Sequence, residues 1–225
     1  MKEFFSTHSL ETVLAAAAAF SCVWLWLQKK RLGMASWAVP VFAVLHVLCG
    51  VACVRVFAFL ESAGKGASGS MSLFGAVFFL PLLYYAGAKV FRRSTAEVFD
   101  TFCICTVFTL FCARINCLAS GCCLGRVMHA AEGLRWPVRE AEMVYYAVFL
   151  ILMAPRVRRA VSGGRAYPVY MLSYGVFRAF CEFFRESSAP GAFHIAHIWA
   201  FISLAVGASV LIEIDRVKKH DKKRS

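Results

Sequence analysis

Seven runs of predominantly apolar residues constrain this chain more than any other feature, because each approaches the roughly 20 residues that an α-helix needs to cross a hydrocarbon core. They are Leu10–Leu27, Trp37–Leu60, Met71–Val90, Val98–Leu118, Val138–Ala154, Ala166–Phe184 and His194–Ile214. With 60% hydrophobic residues against 17% charged, the chain is too apolar for an aqueous domain of its length. The expected fold is an all-α membrane protein of seven transmembrane helices. No linker, repeat or low-complexity tract divides it, so residues 1–225 read as a single polytopic membrane domain. The fifth run, squeezed between Pro137 and Pro155, is the shortest and fits a re-entrant segment as well as a spanning one. The first run ends in "QKKR" rather than at a small-residue cleavage site, so it is expected to remain as a span.

The net charge of +12 reports topology, not a nucleic-acid partner, once its placement is followed. Sixteen of the 25 basic residues fall at four alternate ends of the seven runs: Lys29 to Arg31, Lys89 to Arg93, Arg156 to Arg165, and Arg216 to Arg224. Lysine and arginine accumulate on the cytoplasmic side, which puts the N-terminus outside and the C-terminus inside. The "KKHDKKRS" tail then reads as a polybasic inner-leaflet segment. The outward loops are longer and richer in glycine, and the segments 61–71, 120–140 and 185–194 are where a substrate entrance is expected. Trp24, Trp26, Trp37, Trp136 and Trp199 read mostly as interfacial anchors. His46, His194 and His197 read as interfacial or buried hydrogen-bonded groups, and His8 as solvent-exposed.

Ionisable side chains at membrane depth are costly enough to be functional candidates. Arg55 lies in the second run, Arg114 near the end of the fourth, and Arg178, Glu182 and Arg185 follow at i, i+4 and i+7 on one helical face of the sixth. An ion pair of Arg178 with Glu182, with Arg185 reaching the headgroups, would account for that face structurally. Arg114 and Arg178 together leave positive charge that a phosphate would balance, and the planar guanidinium fork suits a phosphate well. The outer half of the bundle is therefore expected to hold an anionic, phosphate-bearing lipid. Gly69, Gly75, Gly121 and Gly125 fit close approach of backbone to such a ligand, and fit helix packing equally.

Of the ten cysteines, Cys22, Cys49, Cys53, Cys103, Cys105 and Cys181 read as small buried hydrophobes. Cys117, Cys122 and Cys123 differ, since they stand at the outer membrane edge. With His129 they have ligand chemistry, but their spacing matches no standard zinc motif, so no metal and no cofactor is expected.

Four stretches, "GSMSLFGAVFFLPLL", "ARINCLASGCCLG", "PVREAEMVYY" and "YGVFRAFCEFFRE", in this order and spacing over Gly50 to His194, resemble the prolipoprotein diacylglyceryl transferase family of bacterial inner membranes. The resemblance implies seven spans with the N-terminus outside. It also implies transfer of the diacylglyceryl group of phosphatidylglycerol, or a related anionic phospholipid, to the lipobox cysteine thiol of a preprolipoprotein, with release of glycerol phosphate. By motif position Arg114 and Arg178 match the family's essential arginines, with Glu142 a third candidate catalytic group. Arg55, Asn116, Gly121, Gly125, Glu182, Arg185 and Gly75 are the candidate substrate contacts, and Cys117, Cys122 and Cys123 a possible thiol site.

The departures from the family pattern are as informative. The histidine that precedes the glycine of the third-span motif, and that is often proposed as the base, is Phe74 here. The signature asparagine aligns with Cys117, the following glutamate with Cys122, and a tyrosine of the proline-led motif with Ala141. The "GCC" stretch resembles a divergent branch of the family. A base could then be solvent at the substrate thiol, Glu142 or a cysteine. Two other functions stay open: a non-catalytic phospholipid-binding protein that kept the arginines, and a thiol-redox or metal-handling protein on the same scaffold.

Overall fold

The computed structural model describes residues 2–62, 71–90, 92–128, 134–186, 193 and 195–224, without side chains at 2–8, 90 and 221–224. His8, Lys65, Gly69, His129 and His194 therefore lie outside the described side chains. Among the described residues the chain forms seven helices and no strand: α1 (Lys2–Leu32), α2 (Ala38–Glu61), α3 (Phe74–Val90), α4 (Thr95–Ser120), α5 (Val138–Arg158), α6 (Ala166–Glu182) and α7 (Ile195–Arg224). Each coincides with one of the seven apolar runs. Four of them, within α1, α2, α4 and α7, are long and apolar enough to cross a membrane.

The differences at the boundaries have local causes. The third helix starts at Phe74 because Ser72 instead gives its N–H to the Val54 carbonyl of α2. The fifth runs through Pro155 to Arg158 as one continuous helix of 21 residues, not as a re-entrant turn. At about 1.5 Å per residue that is roughly 31 Å. The seventh carries the polybasic tail on as helix to Arg224.

Helix α4 is the centre of the bundle, packed on α1, α3, α5 and, more lightly, α2 and α6. Several of its buried side chains are small, Thr101, Cys103, Cys105, Thr106 and Cys112 among them. Helices α6 and α7 pack as a close pair, because Gly175 lies against the Ala200 carbonyl and Leu204, and Gly207 against Leu172 and the Pro168 carbonyl. Small residues at a crossing let backbones approach where lipid gives helices no hydrophobic reason to associate. Two tryptophans expected at the interface belong to the interior. Trp24 donates its indole N–H to the Thr101 carbonyl at 3.0 Å, and Trp199 packs edge-on to Phe57.

The basic helix ends do gather at one end of the bundle. Arg31 donates to the Val157 carbonyl and to Thr101, Arg93 to the Gly33 carbonyl, and Arg165 pairs with Asp215. Asp100 ties this end together: one carboxylate oxygen accepts from Ser162 Oγ at 2.5 Å and the Gly164 N–H at 2.8 Å, the other from the Ala166 N–H at 2.8 Å. A buried carboxylate thus caps the start of α6. Nothing in the apolar pattern singled Asp100 out.

Candidate functional site

At the other end, α4 delivers Arg114, α5 delivers Glu142 and α6 delivers Arg178 and Glu182 to one point. All four are buried, at 3%, 1%, 6% and 2% exposure. Both carboxylate oxygens of Glu142 are taken by guanidinium groups. Oε2 is bound by Arg114 Nε and Oε1 by Arg178 Nη1 at 2.9 Å. Arg178 Nη2 holds Glu182 at 2.8 Å, and Arg185 approaches the same Glu182 oxygen at 3.9 Å. The chain of contacts runs Arg114, Glu142, Arg178, Glu182, Arg185. Beside Glu182 of α6, the pair of arginines thus has a second carboxylate, Glu142 from α5. Among the described residues of this cluster, three guanidinium groups stand against two carboxylates, one net positive charge.

A cavity of about 750 Å³ opens in front of this cluster. Arg114, Arg178, Glu182 and Arg185 line it, and so do Asn116, Cys117, Cys122 and Cys123. It extends along α2 from Glu61 down to His46, about 22 Å at the helical rise, so it joins this end of the bundle to its middle. Its deeper walls are apolar, from Leu14, Val54 and Leu80 among others. Glu142 is absent from the lining. It stands behind the arginines, which it orients.

Other expected contacts are placed elsewhere. Arg55 is exposed on the outer side of α2 and does not line the cavity. Gly75 is a helix-crossing residue, where a Cβ would run into the Cys53 carbonyl, and Gly125 packs in the same way on the Trp136 carbonyl. Gly121 caps α4 in the left-handed region, with φ of 69° and its N–H turned back to the Cys117 carbonyl. These glycines shape the site without facing it. Asn116 does face it, accepting from Ser9 Oγ at 2.8 Å and so fastening α1 to α4 at the cavity wall.

Phe74 lines the cavity under Arg178, whose guanidinium carbon lies 5.8 Å from the ring centroid. Tyr174 packs edge-on to Phe74, and Tyr146, Tyr170 and Tyr174 stack behind the arginines as a buried aromatic ladder. His46 reaches the cavity floor, hydrogen-bonded to Tyr84 at 2.9 Å. His197 is buried against Phe183.

The turn after α4 folds over the cavity mouth. Arg126 donates its N–H to the Phe184 carbonyl, and the Glu186 N–H donates to the Leu124 carbonyl, so the turn pairs with the end of α6 and brings Arg185 beside Cys123. Arg139 adds a hydrogen bond to the Cys117 carbonyl at 3.4 Å. The three thiols converge here: Cys117 Sγ lies 3.8 Å from Cys123 Sγ, and Arg114 Nη1 donates to Cys117 Sγ at 3.8 Å. The Cys117 hydrogen bond, with the nearby charges of Arg185 and Arg114, holds the Cys123 thiol below its ordinary pKa against the opposing effect of its partial burial.

By class this is an α-helical bundle with helices long and apolar enough to cross a membrane, carrying a buried arginine–glutamate cluster at a mainly apolar cavity. The chain belongs to the prolipoprotein diacylglyceryl transferase family, whose model matches residues 8–213. Members of that family are membrane transferases of lipoprotein biosynthesis. Comparison with curated proteins gives no match.

Proposed function

We propose that this protein moves the diacylglyceryl group of phosphatidylglycerol onto the cysteine thiol of a lipoprotein precursor, in a bacterial cytoplasmic membrane that it spans seven times with its N-terminus outside. One observation carries the reading. Arg114 and Arg178, from different helices, converge in the wall of one cavity, and the cluster they form with Glu142, Glu182 and Arg185 carries one net positive charge. A phosphodiester monoanion neutralises that charge.

The reaction asks for this arrangement. The acceptor sulfur, as thiolate, attacks the glycerol carbon; the carbon–sulfur bond forms and the carbon–oxygen bond to phosphate breaks. One negative charge moves from sulfur to the departing glycerol phosphate. Guanidinium groups held in place before the reaction stabilise the charge where it develops. Arg114 and Arg178 would touch that phosphate and are the catalytic pair, while Glu142 positions both. The apolar lower cavity suits acyl chains. Helices α3, α5 and α6 support seven spans by their outward faces: Val144, Val148, Ile151 and Leu152 of α5, Leu82 and Leu83 of α3, and Val176 and Phe180 of α6 are all exposed apolar residues.

The test is direct. Purified protein is mixed with phosphatidylglycerol and a lipobox peptide, beside an established transferase, and the peptide is weighed by mass spectrometry. Addition of one diacylglyceryl group to the cysteine is expected, and its loss in Arg178→Ala. An unmodified peptide in an assay where the established enzyme works would refute the proposal.

A further inference from the structure

The thiol cluster answers to a chemistry that the arginines do not explain. The sulfur atoms of Cys117, Cys122 and Cys123 all lie within 4.8 Å of one another. The Cys117–Cys123 separation of 3.8 Å is far from a disulfide, whose sulfurs sit about 2.05 Å apart. It matches one edge of a zinc tetrahedron: two thiolates at about 2.3 Å from a zinc ion, with a tetrahedral angle between them, would stand roughly 3.8 Å apart.

The backbone is bent to make this cluster. Neighbouring side chains in a chain seldom point to one place, and Cys122 and Cys123 do so because left-handed residues flank and include them, Gly121 at φ 69° and Cys123 at φ 57°. The turn returns both thiols onto Cys117, in the last turn of α4. One end of the cluster has a donor that a thiolate would use, Arg114 Nη1 to Cys117, while Ser120 Oγ, which gives its own proton to the Asn116 carbonyl, lies 3.3 Å from Cys122 Sγ. Such outer hydrogen bonds orient metal ligands and moderate their charge. The group contains three ligands and no fourth among the described residues, and all three line the arginine cavity. Catalytic zinc sites keep one position open in this way.

We propose that Cys117, Cys122 and Cys123 bind one zinc ion, and that its open position, facing the cavity, takes the acceptor thiol. The second half rests on the transferase reading above. On binding, the acceptor gives its proton to water and stays on the metal as thiolate. A lone pair of that sulfur then forms the carbon–sulfur bond to the glycerol carbon, the carbon–oxygen bond breaks, and its electron pair leaves with the phosphate held by Arg114 and Arg178. The thioether product is a weak ligand and departs; zinc keeps its oxidation state. The thiol is thereby activated with phenylalanine at position 74, where no side chain takes a proton.

The test uses the full-length protein in detergent with a phosphine reductant and no chelator. Elemental analysis should give about one zinc per chain, falling at least fivefold in Cys122→Ser, a change at an exposed position. Cobalt(II) in place of zinc should show a thiolate-to-metal band in the near ultraviolet and tetrahedral bands in the visible. A cysteine lipobox peptide should shift the visible bands, and the same peptide with serine should not. Zinc no higher than in a Cys122→Ser/Cys123→Ser double variant, or cobalt without the thiolate band, would overturn the site; a cobalt spectrum indifferent to the cysteine peptide would overturn its role with the acceptor. The two readings fail separately. Lipid transfer by a zinc-free protein would sink the metal and leave the transferase, whereas a cobalt site that answers to the peptide without any transfer would leave the metal and sink the transferase.

Discussion

Replacing Arg114 by glutamine separates what this residue does for the fold from what it does for a lipid. Glu142 is 1% exposed and gives one oxygen to Arg114 and the other to Arg178. Removing one partner of a buried ion pair costs about 3–5 kcal/mol; because Arg178 keeps its own bond, the low end, about 3 kcal/mol, is expected for Arg114→Gln. For a chain of this size each kcal/mol moves Tm by about 2–4 °C, so the loss should be roughly 6–12 °C. The double variant Arg114→Gln/Glu142→Gln removes both charges and returns the cluster to one net positive charge, from Arg178 and Arg185 against Glu182. It should regain at least half of the lost Tm. Lipid binding should not return with it. A charged hydrogen bond to phosphate contributes about 1.5–3 kcal/mol, or roughly 10- to 150-fold in affinity at 1.4 kcal/mol per decade, and both variants lack it. Thermal unfolding followed by tryptophan fluorescence gives the first quantity, and mass spectrometry of co-purifying phosphatidylglycerol the second. A double variant that recovers stability and lipid together would refute the assignment and make Arg114 a structural partner of Glu142 alone.

Three further outcomes are expected. Asp100→Asn sets an amide against the N–H groups of Gly164 and Ala166, and should lower stability by about 2–3 kcal/mol while leaving transfer per folded molecule unchanged, which a melt and the transfer assay measure together. Gly175→Ala puts a Cβ 2.6 Å from the Ala200 carbonyl oxygen and 2.8 Å from the Leu204 nitrogen; such overpacking costs about 1–3 kcal/mol and should appear as a lower melting temperature and less folded protein by size exclusion. A fluorescent protein fused after Ser225 should be bright and the corresponding periplasmic phosphatase fusion inactive, since the basic ends gathered around Arg31, Arg93 and Arg165 belong inside; the opposite pair of results would reverse the orientation.

The sequence by itself determined the seven helices and the charges worth following. Apolar length is a local property, and an arginine within an apolar run is conspicuous wherever the chain goes next. Arg114, Arg178, Glu182 and Arg185 were legible on those grounds, and the family motifs added Glu142. Tertiary structure decided what these residues are to one another. Glu142 stands behind the arginines because α5 enters from the far side of α4, and nothing in its own stretch fixes that direction. Arg55 is as conspicuous in sequence as Arg114, yet its helix turns it outward. Gly75 and Gly125 were read as possible ligand contacts, but which surface a glycine admits depends on the neighbouring backbone, here that of Cys53 and Trp136. Cys117, Cys122 and Cys123 stand out in the sequence as a group, but the convergence of their sulfur atoms does not. Two of them are adjacent in the chain, a spacing that ordinarily points side chains apart, and the left-handed turn that reunites them with Cys117 exists only because the loop after α4 is paired to the end of α6.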